Sequence, residues 1–67
     1  MSLSRTQLDE QLHWLETKVP VWLRAPDTFP AVFEEESEQL VAITAPKDQD
    51  YAWQQLEAIV ERSGFNT

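Results

Sequence analysis

Residues 30–45, PAVFEEESEQLVAITA, can form either one helix or two strands, and the choice between them sets the fold class. As a helix, the segment places Val32, Leu40 and Ile43 on one face. Glu36 then falls in the middle of that apolar face. Val, Ile, Thr and Phe are also weaker helix formers than Ala or Leu. The pattern therefore disfavours a helix over this segment.

The same segment is better described as two strands, Ala31–Glu35 and Gln39–Ala45, that flank a turn at residues 36–38. The second strand is short, continuous and rich in β-branched residues, as expected of a central strand. The turn lacks the Asn-Gly pair or the Gly that tight hairpins favour, which counts against a hairpin. On balance the pattern predicts strands, with a helix at 30–44 as the alternative.

The N-terminal part of the chain predicts a helix over residues 4–18. Ser4 and Gln7 match a capping box, in which the serine caps the helix and the glutamine reaches back to the first backbone amide. Pro20 ends the predicted helix near Lys18, because the residue before a proline avoids the helical backbone conformation. The apolar stripe, at spacings of four and then three residues, consists of Leu8, Leu12 and Leu15.

Residues 19–24 alternate, with apolar side chains at Val19, Val21 and Leu23. A period of two predicts a strand, and a proline near its start is typical of an edge strand. An extended segment outside any sheet is the alternative. Residues 25–28, Ala-Pro-Asp-Thr, have the composition of a turn.

Residues 48–63 predict a second helix. Asp48 is placed to cap it, and Asp50 falls in the first turn, where a carboxylate interacts favourably with the helix dipole. Gly64 is placed as a left-handed stop, and Phe65 is placed to fold back on the last turn. The apolar face of this helix consists of Ala52, Trp53, Leu56, Ile59 and Val60.

Together these segments predict an α+β fold for one small domain, residues 1–67. Two helices would pack on one face of a small two- or three-stranded antiparallel sheet, which leaves the other face open to a partner. A three-helix bundle, with its middle helix at 30–44, is the alternative. The expected core consists of Leu8, Leu12, Leu15, Val41, Ile43, Leu56, Ile59 and Val60.

The composition narrows the classes of partner. Twelve acidic residues against five basic ones give a net charge of −7, and the bases are scattered along the chain. Nucleic-acid binding needs clustered Lys and Arg to neutralise phosphates, and an anionic membrane surface is disfavoured for the same reason. We expect neither nucleic acid nor membrane as a partner. A basic protein is the favoured partner, because the charge would steer it toward the chain.

Two further properties set expectations for assembly and location. The chain has no cysteine, so neither a disulfide nor a Cys-rich zinc site can support a core that is thin at this length. Self-association, most simply as a homodimer, is therefore expected. The first residues lack the apolar core of a signal peptide, and no run approaches the length of a membrane span, which predicts a cytoplasmic protein.

The candidate partner-binding residues are carboxylates and aromatic side chains. An acidic tip lies between two apolar runs, with no Lys or Arg from position 25 to position 46 to neutralise it. Such a cluster repels itself unless a partner uses it. Two tryptophans lie away from the predicted core faces and could anchor an interface. The candidates are Glu34, Glu35, Glu36, Glu38, Trp14 and Trp22.

Catalysis and metal binding are not expected. His13 is the only histidine, and Asp9 and Glu16 share its face of the first helix at a spacing that could hold a divalent ion. That face lies opposite the leucine stripe, so we interpret the three side chains as solvated. The serines have no evident base, and no Gly-rich loop exists to hold a phosphate. The sequence predicts no catalytic residue, no cofactor and no metal site.

These features predict a non-enzymatic protein–protein interaction module, a small acidic regulator or inhibitor that uses its acidic tip and exposed aromatics. One alternative is a homo-oligomeric structural protein without a heterologous ligand. Another is an acidic mimic of nucleic-acid charge, in which carboxylates imitate phosphates. Mimicry needs acids along one long face, whereas the predicted arrangement concentrates them at one tip, so it ranks last.

Overall fold

The computed structural model describes residues 2–64. Within them the chain forms three α-helices, α1 (Arg5–Trp22), α2 (Phe29–Ala42) and α3 (Gln49–Ser63), with a 3₁₀ turn at Pro46–Asp48. The extents of 33 × 18 × 18 Å fit helices packed side by side, since the 18 residues of α1 are about 27 Å long. Residues 2–64 contain no β-strand, so the predicted α+β fold is wrong. The alternative, a three-helix arrangement, is observed.

Helix α1 begins as the sequence predicts. The Ser4 hydroxyl accepts a hydrogen bond from the Gln7 backbone N–H at 3.2 Å. The Gln7 side chain in turn accepts one from the Ser4 N–H at 2.9 Å, which completes the predicted capping box. The buried stripe of the helix consists of Leu8, Leu12, Leu15 and Val19.

Helix α1 continues through Pro20 to Trp22, past its predicted end. The strand predicted for 19–24 is therefore wrong. Proline leaves one helical hydrogen bond unmade, because it has no N–H to donate to the carbonyl four residues earlier. The last turn stays helical because Val19 is buried in the core and its carbonyl accepts from the Leu23 N–H at 2.9 Å.

Helix α2 occupies the segment for which the sequence predicts two strands. That prediction is wrong because the buried face is displaced from the one that Val32 and Ile43 define. Ser37, a polar residue with 1% exposure, stands where an apolar side chain would have revealed the helical period. Glu36 lies half-buried at the flank of the buried face and not in its middle. The buried residues of the helix are Phe29, Phe33, Ser37 and Leu40.

Short connections position α2 against its neighbours. The turn predicted at 25–28 is confirmed, and the Thr28 N–H donates to the Ala25 carbonyl at 3.0 Å. Pro30 follows in the first turn of α2, where its missing N–H has no helical partner to lose. Six residues, 43–48, separate α2 from α3. So short a connection makes the two helices antiparallel neighbours.

Helix α3 confirms the helix predicted near the C-terminus. Gly64 ends it with a left-handed φ of 78°, and the Gly64 N–H donates to the Glu61 carbonyl at 3.2 Å. Asp48 occupies the N-cap position, but its side chain makes no capping hydrogen bond and lies instead 3.9 Å from Nε of Arg5. Phe65, which the sequence places against the last turn, lies outside the described residues.

The core receives buried side chains from each of the helices. Most of the predicted core is confirmed: Leu8, Leu12, Leu15, Leu56 and Ile59 are buried. Val41 and Val60 are only partly buried. Ile43 is 49% exposed, so its predicted core position is wrong; it follows the last residue of α2. Further buried apolar residues, absent from the prediction, are Val19, Phe29, Phe33, Leu40 and Ala52.

Candidate functional site

The four carboxylates predicted as an acidic tip lie on α2 and not at a hairpin turn. Successive residues of an α-helix are about 100° apart, so these side chains leave the helix in different directions. Glu35 and Glu38 are exposed. Glu36 is half-buried on the side of α1, whereas Glu34 lies at a groove between α2 and α3. The structure therefore divides the predicted patch between separate surfaces.

A groove of about 440 Å³ lies between α2 and α3 and is here named the α2–α3 groove. Two of its aromatic rings, Phe29 and Phe33, are buried with their centres 5.6 Å apart. No residue of α1 lines the groove within the part of the chain that the structure describes. The lining is mainly apolar and includes Phe29, Pro30, Phe33, Trp53, Leu56 and Val60.

Trp53 is the large apolar side chain of this groove that water reaches, with 42% of its surface exposed. The sequence places Trp53 on the apolar face of the last helix but does not show that the residue stays exposed there. A tryptophan exposed beside buried aromatic and leucine side chains is well suited to anchor an interface. Sequence reasoning missed the groove because an apolar helix face does not reveal whether another helix covers it.

Three carboxylates also line the α2–α3 groove: Glu34, Glu57 and Glu61. Among the described lining residues there is no Lys or Arg. The ion pairs found between positions 2 and 64 lie elsewhere, at Arg5 with Asp48 and at Arg62 with Glu16. The groove therefore combines an apolar floor with a negative rim whose carboxylates form no ion pair within residues 2–64.

Ser37 adds a buried hydroxyl to the same groove. Its Oγ has no hydrogen-bond partner among residues 2–64. An unpaired buried hydroxyl costs about 1–3 kcal/mol of folding free energy. The small Ser37 side chain lies between Phe33 and Leu40 in the buried stripe of α2, and it leaves the groove deeper than a leucine there would.

Trp14 and Trp22 lie on α1, on a surface separate from the α2–α3 groove. Trp14 is 44% exposed, and its ring stands edge-on to that of Trp22 with the centres 6.2 Å apart. The ammonium of Lys18 lies 5.7 Å from the centre of the Trp14 ring, within the range of a cation–π contact. Trp14 and Glu36 line one shallow depression between α1 and α2. The structure thus brings Trp14, Trp22 and Glu36 together and leaves Glu34 apart.

The face of α1 that carries Asp9, His13 and Glu16 borders α3. The Tyr51 hydroxyl donates to Oδ1 of Asp9 at 2.8 Å, and Nη2 of Arg62 lies 2.8 Å from Oε2 of Glu16. Both carboxylates therefore have protein partners, which the interpretation as solvated side chains did not include. Over residues 2–64 no group of three His, Cys, Asp or Glu side chains is arranged to hold a metal ion.

Tyr51 provides a test of this contact between α1 and α3. Its hydrogen bond to Asp9 and its partial burial raise the pKa of Tyr51 above the ordinary value of 10.0, and Arg5 lowers it in part. Because Tyr51 is the only tyrosine, the ultraviolet absorbance of tyrosinate reports this group alone. We expect the Asp9→Ala variant to titrate at lower pH than the native protein. An identical titration in both would show that the contact is absent in solution.

The raised pKa of Tyr51 also sets the sign of a pH effect on stability. The folded protein holds the phenol proton to higher pH than the unfolded chain, whose value is near 10.0. The stabilising contribution is therefore complete below that pH and is lost as the pH rises through the folded-state pKa. Urea unfolding below and above the pH range between these two pKa values measures this contribution. The free energy of unfolding should fall more with rising pH in the native protein than in Asp9→Ala.

No protein-family model, curated protein or solved structure matches this chain. Of the helices described, none combines the length and the apolar content needed to cross a bilayer.

Proposed function

We propose that this protein is a non-enzymatic protein-interaction module that holds a segment of a partner protein in the α2–α3 groove. The observation that carries the proposal is the groove, with its apolar floor, its exposed Trp53 and its rim of carboxylates. Protein interfaces share this arrangement, in which a polar rim surrounds an apolar centre with an aromatic anchor. In a cell, such a module would act as a small acidic regulator or inhibitor by occupying that segment of its partner.

The shape of the groove favours a protein segment over a small molecule. Sites for small molecules bury most of the ligand surface in a concave cavity. The α2–α3 groove is walled by α2 and α3, and α1 contributes nothing to its lining among the described residues. A small ligand would keep one side in water, whereas a polypeptide segment can bury one face and leave the other solvated.

The residues nominated by the sequence take different parts in this proposal. Glu34 lines the groove, and we expect it to contact the partner directly. The other three glutamates of α2 add to the negative field, which steers a basic partner toward the molecule. Trp14, Trp22 and Glu36 form a separate surface, here named the α1–α2 surface. Its tryptophans supply the matched control for the groove.

The two most exposed tryptophans of the described chain allow a direct test. Trp53 is 42% exposed and Trp14 is 44% exposed, on different surfaces. We expect Trp53→Ala to reduce capture of the partner from native lysate by about tenfold or more, because truncating an anchor residue costs about 2 kcal/mol or more of binding. Trp14→Ala should leave capture unchanged. Quantitative mass spectrometry of the retained proteins measures both, and circular dichroism checks that both variants fold.

Two results would contradict the proposal. If Trp53→Ala retains the same proteins in the same amounts as the native chain, the groove holds no partner. If capture is lost in Trp14→Ala and kept in Trp53→Ala, the interface lies on the α1–α2 surface.

A further inference from the structure

We infer that the occupant of the α2–α3 groove is a basic amphipathic helix from a different protein, which packs against α2 and α3 as a fourth helix. The inference rests on the proposed function and adds the chemistry of the partner. Three observations support it: the shape of the groove, the negative charge of its rim, and the contacts that Lys and Arg side chains of this chain already make within the fold.

The groove has the dimensions of a site for a helix. Its walls are residues 29–37 of α2 and 53–61 of α3, each about 12 Å long at a rise of 1.5 Å per residue. The elongated shape of the molecule, 33 × 18 × 18 Å, and the short connection between α2 and α3 place these walls side by side. A helix laid along such a pair completes a four-helix bundle.

The floor suits the apolar side chains of such a helix. An amphipathic helix docks through anchors at positions i, i+3 or i+4, and i+7, which lie on one face. The floor offers them Phe33, Leu56 and Val60, and the small Ser37 leaves depth at one end of the groove. Trp53, which is exposed, offers its ring surface to an inserted side chain.

The rim specifies the charge of the helix. Glu34 stands on the α2 wall, and Glu57 and Glu61 stand on the α3 wall, one helical turn apart. A helix in the groove therefore has carboxylates on both flanks. Lys and Arg suit these flanks, because their long stems cover apolar surface while their charged ends reach outward to the rim. Acidic flanks would place like charges against one another.

A second copy of this chain fits the rim poorly. The chain carries a net charge of −7, so self-docking at an acidic groove opposes like charges. Three of its five Lys and Arg side chains are already engaged within the fold. Arg5 stacks 3.6 Å from the centre of the Tyr51 ring, Arg62 pairs with Glu16 at 2.8 Å, and Lys18 lies 5.7 Å from the centre of the Trp14 ring. The other two, Arg24 and Lys47, lie between the α-helices, so a helix with cations on both flanks comes from another protein.

The test uses synthetic peptides and the full chain. The basic probe is a helix of about 14 residues, four turns, with leucines on one face and lysines on both flanks. One matched peptide has glutamates in place of the lysines, and another has the basic sequence scrambled. The indole N–H signals of the three tryptophans are followed by NMR and assigned with Trp53→Phe and Trp14→Phe. We expect the basic peptide alone to shift the Trp53 signal and to gain helical circular dichroism.

Charge variants locate the contact. The triple variant that neutralises the rim combines Glu34→Gln, Glu57→Gln and Glu61→Gln. It should lower the affinity for the basic peptide by about tenfold at low salt and by less at high salt. The control neutralises the same number of charges away from the groove: Glu10→Gln, Asp27→Asn and Glu35→Gln. It should change the affinity by less than about twofold, since distant charges contribute only a screened field.

Several outcomes would overturn the inference. One is that the acidic peptide binds as tightly as the basic peptide. Another is that the rim and control variants lose the same peptide affinity. A third is that the peptide shifts the Trp14 signal and leaves the Trp53 signal unchanged. A Trp53 shift that grows with protein concentration, together with a dimer mass in sedimentation, assigns the groove to a second copy. A Trp53 shift on removal of residues 65–67 assigns it to the chain's own end.

The same data separate the inference from the proposed function. If the basic peptide does not bind while capture from lysate still depends on Trp53, the groove binds a protein segment of another kind, and only the inference fails. If neither the peptide nor the captured protein depends on Trp53, both fail.

Discussion

Replacing Leu8 with alanine should lower the free energy of unfolding by about 2–5 kcal/mol, the cost of a large-to-small change in a packed core. Leu8 has 0% exposure and lines none of the grooves described above, so its loss reports on folding alone. A chain of 67 residues has a total stability of about 3–10 kcal/mol. The variant should therefore be close to unfolding or already unfolded at room temperature, as measured by urea titration of its circular dichroism.

Ile43→Ala is the matched control for this experiment. The sequence predicts both residues as core, but Ile43 is 49% exposed at the end of α2. We expect its loss to stay below about 1 kcal/mol, as for most surface substitutions. Equal losses at Leu8 and Ile43 would contradict the register that the structure assigns to α2.

Pro20→Ala should raise the free energy of unfolding by about 1–2 kcal/mol. Proline in a helix interior costs about 3 kcal/mol relative to alanine, because it removes a hydrogen bond and crowds the preceding turn. Part of this gain is offset, since alanine gives the unfolded chain more freedom. Pro20 is exposed near the end of α1, so the substitution disturbs no core contact. A rise in melting temperature of about 4–16 °C corresponds to this gain.

Pro30→Ala is the control for the proline experiment. Pro30 lies in the first turn of α2, where no helical hydrogen bond is lost, so alanine should have little effect on stability. If Pro20→Ala does not stabilise the protein, α1 ends before Pro20, as its sequence alone predicts. A gain confined to Pro20→Ala supports a helix that passes through it.

Features that lower stability meet at the α2–α3 groove. Ser37 buries a hydroxyl there that has no partner among residues 2–64, and Glu57 and Glu61, four positions apart on α3, place like charges side by side. Trp53 keeps a large apolar surface in water. Local departures from the rules of a stable fold concentrate at functional sites. Their coincidence in one groove supports the proposal that the groove has a partner.

Features that depend on residues close together in the chain follow from the local sequence. The capping box of Ser4 and Gln7, the turn at 25–28 and the left-handed stop at Gly64 each involve interactions within about four positions. The leucine stripe of α1 and the apolar face of α3 repeat with the helical period over long spans. Local hydrogen bonding and local periodicity carry this information without reference to the rest of the fold.

Packing between distant parts of the chain resolves two segments for which the local pattern is ambiguous. Ser37 interrupts the apolar stripe of α2, and only the packing of that stripe against α1 and α3 shows that the segment is a helix. Val19 likewise holds the end of α1 in the core despite Pro20. In α2 burial of apolar surface outweighs local propensity, since one buried side chain contributes about 1.5–3 kcal/mol and propensity differences other than those of proline are about 1 kcal/mol or less. Proline costs about 3 kcal/mol, so at the end of α1 the burial of Val19 offsets much of the cost of Pro20.

The candidate site also required the tertiary structure. The sequence predicts the acidic residues of α2 as partner-binding, and one of them, Glu34, lines the α2–α3 groove. Glu57, Glu61 and Trp53 join it from α3, about 20 residues further along the chain, and no local pattern links the two walls. A groove is the space that two packed helices leave uncovered. Its existence depends on where α1 is placed, which is decided by the burial of all three apolar faces at once.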